Sequence, residues 1–192
     1  MAAIDHPRVP MNDTEIAEAV ESARNGVDKY LEIMTCVGTI DVSSDRCFQK
    51  RFNHFYRIRQ KSAVWYQTYY DLLEESKVAS PSFEQVLLHL HDALGSFEAS
   101  FSSKLVATID PDQPIWDSHV LKNIGKSPPR CGTPARARKI VELFRDIQDW
   151  YRATLKSTQG DRIVSIFNDR IGENPILTDT KKIDFVLWQH RK

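Results

Sequence analysis

The chain has 192 residues, with 26 Lys+Arg against 26 Asp+Glu for a formal net charge of zero; 41% of it is hydrophobic and 27% charged. That balance excludes a disordered chain and supplies apolar material for a sizeable core, and only 7 glycines and 9 prolines exclude a collagen-like or low-complexity one. The longest stretch without a charged side chain is the nine residues Ser62 to Tyr70, against the ~20 that a spanning helix needs.

The beginning, MAAIDHPRVPMNDTE, has no basic end followed by an apolar run, so no secretory leader is expected. Cys36, Cys47 and Cys131 form no C-x-x-C and fit reduced thiols, which points to a cytoplasmic protein. The length suits one domain over 1–192, built as two lobes sharing one cleft.

In chain order, Asp13 or Thr14 can cap a first helix whose apolar stripe runs Ile16, Val20, Ala23, Val27, Leu31 and Met34 before Gly38 ends it. VGTIDV at 37–42 is the best strand candidate, and it is short. Ser43 or Ser44 opens a second helix with Phe48, Phe52 and Phe55 on one face, and Ser62 a third with Trp65, Tyr69 and Leu72 or Leu73. A fourth starts at Ser80-Pro81, with proline at the first helical position, and stops at Gly95. A fifth runs from about 97 to 109 and is closed by Asp110-Pro111. A short sixth spans about 117–124, with Gly125 as its cap.

The loop KSPPRCGTP breaks the chain, and Thr133-Pro134 then starts a long helix with Ile140, Phe144, Ile147, Tyr151 and Leu155 inward. Helices over about 161–171 and 179–190 follow, the last capped by Thr178 or Asp179. The reading is all-α.

Charge is unevenly spread. Residues 79–117 carry −5 and residues 118–156 carry +6, so one face of a neutral protein can attract a polyanion. Metal and nucleophile patterns are weak. His89 and His91 point apart on a helix, the cysteines lack ligand spacing, and there is neither a G-x-S-x-G nor a glycine-rich phosphate loop. No metal and no organic cofactor is implied. A nuclease-like set of Asp112 with Asp179-x-Lys181 would need adjacent strands, whereas these residues fall on a loop and a helix start.

The informative stretch is LGSFEASFSSKLVATIDPDQPIWDSHVLKNIGK, 94–126. A helix ends at Gly95, another follows at once, and a Pro-flanked turn delivers Trp116-Asp117 to the next helix start. A carboxylate there caps the helix and stays ionised. It is also held rigidly, ready to face a developing cation.

This stretch resembles the core of the helix–hairpin–helix DNA glycosylase superfamily. In that family a Gly-x-Gly hairpin is followed by a helix, a turn and a catalytic aspartate that opens the next helix. I-W-D-S-H-V at 115–120 matches that last element, and Gly95 precedes Asp117 by 22 residues, about the family's spacing. The second hairpin glycine is replaced by Phe97, so the hairpin is degenerate, and the cysteine-ligated cluster of some members is absent. The Schiff-base lysine of bifunctional members falls on Ala99, with Lys104 five residues too late. The resemblance implies a two-lobed helical fold and a monofunctional DNA glycosylase. In it Asp117 stabilises the oxocarbenium-like sugar while water attacks, and an abasic site is left.

FNHFYRIRQKSAVWYQTYYDLL and TDTKKIDFVLWQHRK also resemble a group of small bacterial proteins, some beside anti-phage genes, which implies a defence enzyme acting on modified phage DNA.

A glycosylase must flip a nucleotide and hold its base between aromatic faces. Phe48, Phe52, Phe55, Trp65 and Tyr69 lie on core stripes, while Tyr56, Tyr66 and Tyr70, with His54 and Trp116, are the candidates for a wet base pocket. Arg57, Arg59 and Lys61 sit among those aromatics, and Lys104, Lys122, Lys126, Arg130, Arg136 and Arg138 are the remaining candidates for DNA phosphates. The expected partner is duplex DNA with a flipped modified base, bound by a monomer with no membrane contact. Two rivals stand beside this reading: a non-catalytic helical DNA-binding or adaptor protein on the same scaffold, and an interaction module of a defence system.

Overall fold

The computed structural model describes residues 11–190. Among them the backbone forms nine helices and no strand: α1 (Asp13–Val37), α2 (Arg46–Tyr56), α3 (Ala63–Ala79), α4 (Phe83–Leu94), α5 (Ala99–Ile109), α6 (Ser118–Asn123), α7 (Arg136–Leu155), α8 (Thr158–Ile171) and α9 (Asp179–Gln189). The all-α reading holds. No helix among the described residues is long and apolar enough to cross a membrane. The expectation of no secretory leader falls largely on residues 1–10, outside the described residues.

Several helix starts differ from those predicted, each for a local reason. Asn12, not Asp13 or Thr14, caps α1: its Oδ1 accepts the Glu15 N–H while Glu15 Oε2 accepts the Asn12 N–H, both at 2.9 Å. Asp45 caps α2 by accepting the Phe48 N–H at 2.8 Å. Ser80 ends α3 in the left-handed region at φ 44°, so Ser82 caps α4 through a reciprocal pair with Gln85. α7 starts at Arg136 after Ala135 at φ 53°, and α8 starts at Thr158 because Ser157 accepts the Gly160 N–H.

The predicted strand at 37–42 is not formed. Val37 ends α1, Thr39 bonds back to the Cys36 carbonyl, and Asp41 gathers the Ser43 N–H and the Ser43 and Ser44 hydroxyls into a turn. Glu74 of α3 accepts the Val42 N–H at 2.8 Å, and Lys77 donates to the Ile40 carbonyl at 2.6 Å, which ties the turn to α3.

The chain divides into two compact units, one made of residues up to Arg24 with those from Pro111 onward, the other of Asn25–Asp110. In the second unit α3 packs on α4 and α5, and α4 on α5. Its core is aromatic. Phe52 is ringed by Phe48, Tyr56, Tyr69 and Tyr70 at 4.6–6.1 Å between centroids, and Trp65 stacks on Tyr69 at 5.0 Å. Such contacts add about 0.5–1.5 kcal/mol per pair beyond the area they bury.

In the first unit α9 is the hub, packed by α6, α7 and α8. Every residue from Thr180 to Leu187 is buried, including Lys181, Lys182 and Asp184. The early turns of α1 are fastened to α8 by Arg162–Asp13 and Arg170–Glu21 ion pairs and by Arg24 donating to the Arg170 carbonyl. α7 and α8 meet at Gly160, where a Cβ would stand 2.1 Å from the Thr154 carbonyl oxygen.

Candidate functional site

Asp117 belongs to the first unit. Pro114, Ile115 and Trp116 ahead of it are buried, which anchors the turn, and Asp117 adopts an extended φ of −124° to cap α6. Its Oδ1 accepts the His119 N–H at 2.8 Å, and its carbonyl accepts the Leu121 N–H at 2.8 Å. Its other carboxylate oxygen takes no hydrogen bond from a described residue, and the side chain is half-buried. A fixed, half-exposed carboxylate with one oxygen uncommitted can meet a cation or a water proton. Asn123, at the far end of α6, donates to the Leu187 and His190 carbonyls at 2.7 and 3.1 Å and so seats α6 on the end of α9.

Behind this turn lies a polar cluster that sequence reasoning missed. The Tyr151 hydroxyl of α7 donates to Asp184 Oδ1 at 2.5 Å, and Lys181 Nζ donates to Asp184 Oδ2 at 3.2 Å. The Lys181 and Asp184 side chains are only 5% and 6% exposed, so neither charge is shared with water. Burial pushes the Asp184 carboxyl up; Lys181 and Tyr151 pull against that, and the Asp117 charge adds to it. Burial, then Asp184, then Asp117 hold the Tyr151 hydroxyl well above the usual tyrosine range. The Asp117 charge is thus felt by both buried groups, and Tyr151 remains a protonated donor. The available signal was the i, i+3 spacing of Lys181 and Asp184 at the start of the otherwise apolar run Ile183 to Trp188. Asp179, once grouped with Lys181 as nuclease-like, instead pairs with Lys182 at 2.8 Å.

The remaining candidates scatter. Trp116 is buried beside Asp117 in the first unit, while His54, Tyr56, Tyr66 and Tyr70 lie in the second. Two tyrosines placed in a wet pocket are core residues instead. Tyr70 is fully buried, its hydroxyl directed at Asn53 Oδ1 (2.8 Å) and the Gln49 carbonyl (3.1 Å). Tyr56 is 6% exposed and packs on Phe52 and Phe55. Tyr56 continues the Phe48–Phe52 stripe four residues on, and Tyr70 lies beside the Trp65–Tyr69 stripe on a helix covered on more than one side. Tyr66 is half-buried and His54 exposed.

Among the expected phosphate contacts, Lys104 is 8% exposed, bonded to Ser100 Oγ at 3.1 Å and set over the Phe101 ring, so it is an interior cation. Lys61 is turned to Glu98 at 2.9 Å. Lys126 pairs with Asp146 at 3.0 Å and Arg138 with Glu142 at 3.4 Å. Arg57, Arg59, Lys122 and Arg130 are exposed and Arg136 is half-buried.

The segment expected to correspond to a hairpin is the turn from Gly95 to Glu98. Gly95 takes φ 72°, and the Phe97 ring stacks on His91 at 3.9 Å. Glu98 precedes α5, and its Oε1 accepts Lys61 Nζ at 2.9 Å, Ser96 Oγ at 3.1 Å and Trp65 Nε1 at 3.3 Å. A carboxylate of the protein itself therefore occupies this turn, although it takes no N–H of α5. Among the described residues, no three His, Cys, Asp or Glu side chains converge to hold a metal ion. Comparison of the chain with protein-family models, curated proteins and solved structures finds no match.

Proposed function

We propose that this chain is a monofunctional DNA glycosylase on a helix–hairpin–helix-like scaffold, acting in the cytoplasm on a modified base flipped from duplex DNA. The observation that supports it is Asp117: one oxygen fixed by the His119 N–H, the other uncommitted, with buried Tyr151, Asp184 and Lys181 behind it. As the bond between the sugar and the base breaks, positive charge develops on the sugar. A carboxylate held in place stabilises that charge without reorganising. Water then adds to the sugar carbon, its proton passing to the uncommitted Asp117 oxygen, and the base leaves with a proton from solvent. Ala99 at the position matched to the Schiff-base lysine fits water as the nucleophile. The exposed cations Arg57, Arg59, Lys122 and Arg130 are the proposed DNA contacts, while buried Trp116 anchors the Asp117 turn and does not reach a base.

Hypermodified phage DNA is the proposed substrate, with ordinary cellular DNA spared. The test is to treat modified and unmodified genomes of one phage with the purified protein and count alkali-labile sites. Sites on the modified genome alone, lost in Asp117→Asn, support the reading. Equal counts would turn it into ordinary repair, and none on any modified DNA would remove it. The Gly95–Glu98 turn, with its own anion in place, favours a second reading as a non-catalytic DNA-binding or adaptor protein, for which the same assay gives no sites but retained binding.

A further inference from the structure

A groove of about 700 Å³ runs between α2 and α3 in the second unit, within the 300–1,000 Å³ of small-ligand sites. Arg46 and Lys50, one turn apart on α2, supply two cations, and no carboxylate lines the groove. Lys50 has no ion pair with a described residue, and Arg46 spends one nitrogen on Gln49 Oε1 at 2.8 Å. Asn53 accepts the Tyr70 hydroxyl through Oδ1, which fixes its amide and leaves the NH₂ as a donor. Burial holds that Tyr70 hydroxyl far above the usual tyrosine range, so it stays protonated, and Asn53 Oδ1 is the nearer of its two acceptors, the Gln49 carbonyl standing at 3.1 Å. Gln67 gives its NH₂ to Asp71 at 2.7 Å, which leaves its carbonyl as an acceptor. Beside Gln67, the α3 side of the groove offers apolar surface: half-buried Tyr66 next to Val64, which is 68% exposed.

Cations along one side, an aromatic face on the other and an oriented amide donor and acceptor between them match the parts of one nucleotide. We propose that the α2–α3 groove binds an unpaired nucleotide of a nucleic-acid strand, its phosphates on Arg46 and Lys50, its base against Tyr66 and Val64, and the base edge at Asn53 and Gln67. This is a binding site apart from Asp117 and does not rest on the glycosylase reading.

Fluorescence anisotropy with labelled single-stranded oligothymidylate tests it on the full chain. Arg46→Glu with Lys50→Glu should weaken binding at least about tenfold, and neutralising both as Gln should flatten the log–log salt slope by roughly 1.4. Tyr66→Ala should weaken binding about tenfold, and Tyr66→Phe should keep it. All substituted side chains are exposed or half-buried, and circular dichroism checks that each variant folds. Wild-type affinity in the charge-reversed or Tyr66→Ala variant would overturn the proposal. Displacement of the oligomer by free dTMP at equal affinity would overturn the strand as ligand. Asp117→Asn should bind the oligomer normally, so loss of base release and loss of groove binding are separable.

Discussion

Two carboxylates stand at helix starts, Glu98 before α5 and Asp117 before α6, and their surroundings differ. One Glu98 oxygen takes three side-chain donors, from Lys61, Ser96 and Trp65, and its side chain is 14% exposed. Asp117 takes one backbone donor and keeps an oxygen uncommitted, with a buried acid near enough to feel its charge. The first is paired with the Lys61 ammonium and shut into its turn, although its other oxygen, like that of Asp117, takes no hydrogen bond from a described residue. The second is held rigidly but left reactive, so sequence position at a helix start does not by itself distinguish structure from chemistry.

Exchanging each carboxylate for its amide breaks or sharpens that contrast. Asp117→Asn can still cap α6 and should cost under about 1 kcal/mol of stability, while base release falls on the order of a thousandfold. Alkali-cleavage kinetics beside thermal melting measure both, and wild-type turnover would take Asp117 out of the mechanism. The acid behind Asp117 comes next. Asp184→Ala removes the carboxylate that the buried Lys181 ammonium is paired with and should lose about 3–5 kcal/mol in urea unfolding.

Asp184 also predicts a pH dependence. Burial raises its native affinity for the proton above that of the unfolded chain, from an ordinary value of 3.8. The stability so gained is complete below 3.8 and is lost as pH rises through the raised native value. Asp184→Asn should lack this fall, and Asp117→Asn should move it to lower pH, since the Asp117 charge is one of its causes. Urea midpoints from acid to neutral pH follow both shifts.

Glu98→Gln should do the opposite of Asp117→Asn. It should lose roughly 1–3 kcal/mol of stability, with base release per folded molecule kept; a selective loss of activity would make the two turns alike. Among the cations, Arg130→Gln should flatten the duplex salt slope by about 0.9 if it contacts a phosphate, and Lys126→Gln by less, because Asp146 already holds that amine. The smallest effect is expected at Tyr56, whose buried hydroxyl has no hydrogen-bond partner among the described residues. Tyr56→Phe should leave stability unchanged or raise it by up to about 1 kcal/mol.

What was legible in the sequence follows from how local each signal is. Ile16, Val20, Ala23 and Val27 are buried as the period predicts, but the inner face then drifts to Tyr30 and Ile33, leaving Leu31 and Met34 half-buried. The Asp117 cap was readable because a carboxylate after P-I-W needs only its own next turn. Ser80 against Ser82 was not, since the left-handed turn at Ser80 decides it. Tyr56 was sent to a pocket because a stripe drawn through Phe55 passes it by, and Tyr70 because one helix stripe cannot show how many neighbours a helix has. The Lys181–Asp184 pair was invisible for the converse reason: charges on a helix read as a solvated face until Tyr151, thirty-three residues before Asp184, meets that carboxylate inside.

Gly160 carries a consequence for how this chain can vary. Its backbone is free of the positive φ that marks Gly95 and Gly172, so it is required for room and not for conformation. The obstacle is a main-chain carbonyl, which cannot swing aside as a side chain would. No companion substitution among the surrounding side chains can therefore relieve it. In a saturation library selected for folded protein, position 160 should accept glycine alone even in backgrounds that tolerate changes throughout the neighbouring core, and any lineage that abandons it must first reset the join between α7 and α8.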